Sequence, residues 1–364
     1  MAVVGGGLVG SACAFELAGE GAKVVVCDAH DGGRATDAGA GILSPETVAW
    51  PDPAMLDLSD RAGAHYRTLV QELADVGAPD PGYAVCGALR LALRDRDAVY
   101  YAENRGVAFE RHGDVLRDVS VDDARRMFPP LGDVQAAYFN PRAARVDGRA
   151  MAAALEHAAR LSHVEWRSER VTSIDVERGR AVGVRLGDER LASDAVVVAG
   201  GAWTPALAEP FGVRLGVRPI RGQIVHLRLR RDTAGWPIVQ PVLSHYVVPW
   251  PDGRLALGAT VEDAGFDARA TIGGMGRLLA EGLRVAPGLD DATFLEVRVG
   301  LRPMSEDLLP ILGPLPGVEQ VYVDTGHGAE GLLLGPFSGR LIARLVCGRD
   351  PGLDLAPFSP VRLT

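Results

Sequence analysis

The stretch from Ala2 to Asp28 constrains this chain more than any other. Val3-Val4 is a short apolar run, and Gly5-Gly6-Gly7-Leu8-Val9-Gly10 follows it directly. Ser11 to Leu17 reads as a helix of small residues, and Lys23 to Cys27 as a buried strand ending at Asp28. The order is strand, glycine turn, helix, strand, acid. Gly5 permits the tight turn, Gly7 lets a pyrophosphate approach the backbone, and Gly10 lets the helix lie close on the sheet. The helix start, at Leu8 and Val9, offers free N–H groups and the positive end of a dipole to phosphate. Asp28 lies 18 residues past Gly10. That is near the ~20 expected of a carboxylate that holds a ribose hydroxyl, and Ala29 adjoins it. The unit predicts a dinucleotide site but does not separate NAD from FAD.

Composition narrows the partners. The 364 residues are 47% hydrophobic and 23% charged, with a net charge of −9. That length is large for one core, so two domains are expected. An acidic balance argues against nucleic acid as a partner. No apolar run approaches the ~18 residues of a membrane span. No charged leader precedes the first strand, so a cytoplasmic protein is expected. The run before Gly5 is short for a first strand, and a natural start a few residues upstream is expected. Cys13, Cys27, Cys86 and Cys347 are scattered and lack metal-ligand spacing. No metal is expected, and free thiols suit a reducing compartment.

Arg34 to Pro45 is the second informative stretch. Its small residues permit a flat ring to lie on backbone. Arg34, Ala35 and Thr36 open it. Thr36 can donate to a phosphate, and Gly41 and Ile42 can present N–H groups to a ring edge. Gly5-x-Gly7-x-x-Gly10 followed by Arg34-Ala-Thr-x-Ala-Gly-Ala-Gly-Ile-Leu-x-Pro resembles the FAD-dependent amino acid and amine oxidoreductases. That family includes glycine oxidase, D-amino acid oxidase, sarcosine oxidase and D-amino acid dehydrogenase. The resemblance implies that this second segment wraps a flavin.

Leu56 to Val76 has helical spacing, with His65 as a packed histidine rather than a ligand. Gly87 to Leu93 alternates as a strand and opens a second domain. Val121 to Phe128 and Gly148 to Leu161 read as helices, and Val164-Glu-Trp as a strand. Arg170 to Val176 alternates, turns at Arg178-Gly179 and returns from Ala181. Ala195 to Ala199 is a continuous apolar run, as in a strand buried on both faces, and ends in Gly200-Gly201-Ala202-Trp203. The resemblance places the Val171 backbone against adenine, and Gly200, Gly201 and Trp203 near the cofactor. Arg218 to Leu229, Val239 to Val248 and Leu255 to Ala259 read as strands, and Gly274 to Arg284 as a helix.

Tyr246 can donate a hydrogen bond to a carboxylate. By spacing alone it is an ordinary strand tyrosine, but glycine oxidase has a substrate-contacting tyrosine in a similar context. Gly300-Leu-Arg302-Pro resembles the family segment whose arginine binds the substrate carboxylate beside the flavin. A planar guanidinium suits that task, because it makes two parallel bonds and keeps its charge. Val321 to Gly339 is strand, glycine loop and helix again. It implies a helix start at His327, Gly328, Glu330, Gly331 and Leu332, aimed at the flavin edge that becomes negative on reduction. There is one departure. Glycine oxidase has an arginine after the histidine where this chain has Gly328-Ala329-Glu330, closer to the D-amino acid dehydrogenases. The expected second cation is missing there, and glycine as sole substrate is in doubt. No cysteine matches the covalent flavin site of sarcosine oxidase, so non-covalent FAD is expected.

The expected fold is α/β plus α+β. A Rossmann-like FAD-binding domain is assembled from residues 1–80, 146–215 and 295–364, and a smaller antiparallel-sheet substrate domain from 81–145 and 216–294. The expected activity is oxidation of an amino acid or secondary amine, with hydride leaving the carbon next to nitrogen for flavin N5. Oxygen or an electron carrier would reoxidise the flavin, and a homo-oligomer is left open. Two alternatives stand: an NAD-dependent dehydrogenase, suggested by Asp28, and a flavin subunit of a larger electron-transfer complex.

Overall fold

The computed structural model describes residues 1–47, 50 and 52–363. In chain order, the strands of its two main sheets are β1 (Ala2–Val4), β2 (Val25–Cys27), β3 (Ala88–Ala92), β4 (Arg117–Val119), β5 (Ala136–Asn140), β6 (Glu165–Arg167), β7 (Val196–Val198), β8 (Val217–Arg228), β9 (Ile238–Pro241), β10 (Tyr246–Pro249), β11 (Arg254–Gly258), β12 (Thr293–Ser305), β13 (Ile311–Pro314) and β14 (Val321–Thr325). The helices that frame them are α1 (Leu8–Gly19), α2 (Pro53–Asp75), α3 (Ala98–His112), α4 (Gly148–Leu161), α5 (Ile272–Val285) and α6 (Gly331–Val346).

Six strands form one sheet in the order β13-β14-β7-β1-β2-β6. All pairs are parallel except β13 with β14. Pleating sends alternate residues to opposite faces. Val3, Val26 and Val197 pack with α1, α2, α4 and α6, while Ala2, Val4, Val196 and Val198 face the other way. That second face is covered by an antiparallel sheet of strands Val171–Glu177, Arg180–Leu186 and Glu189–Ala192. Burial on both faces is why Ala195–Ala199 reads as unbroken apolar sequence. Asp147 starts α4, its carboxylate accepting from the N–H groups of Arg149 and Ala150.

Eight strands form the other sheet, in the order β12-β8-β11-β10-β9-β3-β5-β4. Only β9 and β3 run parallel. Leu89, Leu91, Val225, Leu227, Val247 and Leu257 point to one face, where α5 and the helix Val121–Met127 bury them. Arg90, Gln240, Tyr246 and Ile224 point to the other face and look into a cavity shared with the first sheet.

Several details differ from the sequence-based expectation. Val239–Val248 is two strands, not one, because the chain turns between β9 and β10 with Leu243 at φ 51°. Pro241, which ends β9, has no N–H to extend a ladder. The division expected at residue 295 falls inside β12, which pairs with β8 as far as Ser305. The helix α3 goes unmarked in the sequence. Its buried positions are only Tyr101, Asn104 and Ala108, while Val99 and Tyr100 are exposed, so no apolar stripe announces it.

Candidate active site

Residues from both sheets line a cavity of about 830 Å³. One end is built by the first glycine turn. Gly5 leaves β1 at φ 101°, and its N–H donates to the Cys27 carbonyl at 2.8 Å. A Cβ on Gly5 would lie 2.6 Å from the Ala199 oxygen, and one on Gly10 would lie 1.8 Å from the Gly5 oxygen. The turn therefore admits no side chain at either place, and it sets the start of α1 against the cavity. Thr36 Oγ1 accepts from the Leu8 N–H at 3.0 Å. Its own hydroxyl hydrogen remains available to a ligand.

Asp28 directly follows β2 and is buried. Its Oδ2 accepts from Arg34 Nη1 at 2.7 Å, and its Oδ1 from the His30 N–H at 3.3 Å. Arg34 also reaches Asp37 through Nε at 3.1 Å. The carboxylate is thus oriented by a cation and retains lone pairs for a hydroxyl donor. Val171 and the turn Gly201–Trp203 close the same half of the cavity.

The other end is built by the second glycine loop, where β14 passes through Gly326–Gly328 into α6. His327 Nε2 lies 2.9 Å from Ser338 Oγ and 3.3 Å from Asp324 Oδ1. The ring is buried and held between strand and helix, which is a supporting position. Glu330, Gly331 and Leu332 present the start of α6 to the cavity. Burial pushes the Glu330 carboxyl up, and Arg90 opposes that shift.

Between these ends lies a polar wall from the eight-stranded sheet. Arg302 on β12 extends over Gly222 of β8 and donates from Nη1 to the Thr260 carbonyl at 3.0 Å. Thr260 is itself fixed, because the Gln223 N–H donates to its Oγ1 at 2.9 Å. The Arg221–Glu262 ion pair at 2.7 Å pins the next turn of chain. Tyr246 stands beside Arg302. Burial pushes its hydroxyl up to about 12, against the pull of that guanidinium, so it stays a hydrogen-bond donor.

Every residue singled out in the sequence as a cofactor or substrate contact lines this one cavity. The cavity also brings in residues the sequence reading passed over, among them Arg90 on β3, Gln240 on β9, Gly222 on β8 and Asn104 on α3. Two of these carried a signal. Arg90 interrupts an otherwise apolar strand, and a glycine inside a strand marks close approach by another group.

The site suits an elongated dinucleotide with a flat ring. A side-chain-free cradle and a helix start lie at one end, a second helix start at the other, and one open cavity joins them. Residues 1–345 match the family described as DAO, FAD dependent oxidoreductase. The chain belongs to that family. It is a FAD-dependent oxidoreductase, and the NAD alternative drawn from Asp28 falls. Similar proteins agree along the whole length. The iminodiacetate oxidase of Chelativorans superposes with a TM-score of 0.94 at 37% identity, covering 99% of this chain and 98% of that one. The glycine oxidase of Geobacillus kaustophilus superposes with a TM-score of 0.92 at 30% identity, covering 100% and 97%. The Pseudomonas putida glycine oxidase is 33% identical over 98% of this chain and 97% of its own length. Among the described residues, no helix is long and apolar enough to cross a membrane.

Proposed function

We propose that the protein oxidises the carbon–nitrogen bond of an amino acid or carboxylate-bearing secondary amine. The observation that carries this reading is Arg302. It is a fixed cation in the cavity, beside the donor Tyr246, and the start of α6 lines the same cavity. The relatives act on substrates of this kind, glycine and iminodiacetate by their names.

In this reading Arg302 holds the substrate carboxylate through two parallel bonds, and Tyr246 donates a third. Fixing that end fixes the neighbouring carbon, and such orientation supplies much of a rate enhancement. FAD, which the two glycine turns would hold, would supply the acceptor for a hydride from that carbon. The amine enters neutral and its N–H proton passes to solvent, so no protein base is required. The imine that remains is hydrolysed by water. His327 keeps a positioning role, braced by Ser338 and Asp324.

The test is an anaerobic panel of amino acids and secondary amines, scored by loss of the visible absorption of the bound flavin. Bleaching by carboxylate-bearing amines, with wild-type flavin content but a large loss of substrate affinity in Arg302→Ala, is expected. A panel that leaves the flavin oxidised throughout would sink the proposal. Turnover by the isolated chain with an artificial acceptor would argue against a purely assembly-dependent subunit.

A further inference from the structure

We propose that Arg90 is a second carboxylate anchor and that the preferred substrates are secondary amines bearing a carboxylate at each end. This rests on the amine-oxidising reading above. It starts from the register of the eight-stranded sheet.

Arg90 on β3 pairs with Tyr138 on β5 and with Gln240 on β9. The pairing of Val239 with Val247 brings Gln240 level with Tyr246 on β10. Arg90, Gln240 and Tyr246 therefore form one row across adjacent strands, and all three line the cavity. Strands lie about 4.8 Å apart, so Arg90 stands about 10 Å along the row from Tyr246. Arg302 flanks Tyr246 from the far side. The cavity thus has a guanidinium at each side of one polar row.

Arg90 differs from most of the arginines. Arg221, for comparison, is paired with both Glu262 and Asp267. Among the described residues, no carboxylate lies within ion-pairing distance of Arg90, and its Nε is buried without a hydrogen-bond partner. The neighbouring Gln240 Oε1 is buried and unpartnered too. Arg90 is half-buried with that nitrogen sequestered, and a cation held this way without an ion-paired carboxylate gains from a ligand that supplies the charge. Glu330 is the acid that approaches from α6; burial pushes its carboxyl up while Arg90 pulls it down, and it stops short of an ion pair with Arg90. It does not complete the site.

A substrate with one carboxylate uses Arg302 and leaves Arg90 unpaired. A second carboxylate beyond the nitrogen reaches Arg90, and the amide nitrogen of Gln240 can donate to it, while the first stays on Arg302. The amine nitrogen is then held between two fixed ends. This also accounts for the sequence departure after His327. The second cation comes from β3, not from the loop before α6.

The experiment compares iminodiacetate with sarcosine, its one-carboxylate counterpart, in wild type, Arg90→Gln and Arg90→Lys. Alongside it, the non-oxidisable pair diglycolate and methoxyacetate is titrated against the flavin absorption of each holoenzyme. We expect wild type to favour the dicarboxylate of each pair. Arg90→Gln should lower kcat/KM for iminodiacetate about 10- to 100-fold more than for sarcosine, as for one lost charge-assisted contact. Arg90→Lys should recover part of the difference, and flavin content reports that each variant is folded. Equal losses for both amines, or a diglycolate preference that survives Arg90→Gln, would overturn the anchor. If neither amine bleaches the flavin yet diglycolate still binds through Arg90, the anchor stands and the amine-oxidising reading falls. If both amines are oxidised with no Arg90-dependent preference, the reverse holds.

Discussion

The Arg302 guanidinium lies on Gly222. A Cβ placed on that glycine would come within 2.4 Å of both terminal nitrogens. The two residues are on neighbouring strands, with Ile220 opposite Arg302 and Gly300 opposite Gly222. The arginine crosses its partner strand over the one gap where a side chain is missing. Gly222→Ala should therefore push the guanidinium off its line while leaving the flavin cradle untouched. Misplacement by about 1 Å can cost on the order of 100-fold. We expect kcat/KM for the best amine to fall about 10- to 100-fold, mostly through KM, with flavin content unchanged. Wild-type kinetics in Gly222→Ala would remove Arg302 from the substrate site.

Gly10 sits where the first helix meets the turn that precedes it. A methyl there would lie 1.8 Å from the Gly5 oxygen, a backbone atom that cannot step aside cheaply. Gly10→Ala should cost about 1–3 kcal/mol of stability, and the protein should purify with depleted flavin. Thermal denaturation and the flavin-to-protein absorbance ratio check this. A fully loaded variant with an unchanged Tm would contradict the role given to the turn.

Asp28, buried just after β2, pairs with the half-buried Arg34, with Oδ2 and Nη1 2.7 Å apart. Asp28→Ala removes both the orienter of Arg34 and the acceptor proposed for a ribose hydroxyl. The loss should be about 1.5–3 kcal/mol of FAD affinity, the range for a hydrogen bond to a charged group. Asp28→Asn, which retains an acceptor oxygen, should lose less. Reconstitution of apoprotein with FAD, followed by flavin fluorescence, measures both. Equal affinities across the series would place the ribose elsewhere.

Glu16 on α1 faces His65 on α2, with Oε1 and Nε2 3.8 Å apart. Burial pushes the Glu16 carboxyl up to about 7 from 4.5. Burial, with help from Arg340, pushes the His65 ring down to about 4 from 6.5. Between pH 4.5 and about 7 the native Glu16 holds a proton that the unfolded chain has released, so its contribution falls as pH rises. Between about 4 and 6.5 the unfolded chain binds a proton that native His65 does not, so that contribution rises with pH. The slopes oppose each other in wild type. Glu16→Gln should leave the rise, and His65→Phe the fall, each on the order of 2 kcal/mol. Urea denaturation between pH 4 and 8 at fixed FAD checks the signs. Parallel profiles in the two variants would refute this account.

What could be read from the residues divides along one line. The two glycine turns, the helices after them and the strand at Val196–Val198 are local patterns, whose physics depends on neighbours in the chain. Gly5, Gly7 and Gly10 announce a phosphate cradle because the turn, helix start and acid all fall within Ala2–Asp28. Val321 to Gly339 announces a second helix start in the same way. The α3 helix escaped because most of its surface faces solvent and leaves no periodic apolar trace.

By itself, the sequence determined a dinucleotide-binding α/β chain with two anion-seeking turns and an arginine suited to a carboxylate. Only the folded molecule decided what stands opposite that arginine. Arg90, Gln240 and Tyr246 lie up to 156 residues apart in the chain, yet they share a row because cross-strand register sets them side by side. Register is a property of paired strands, not of either strand alone. The bare strip at Gly222 gains its meaning in the same way, from the neighbour that crosses it.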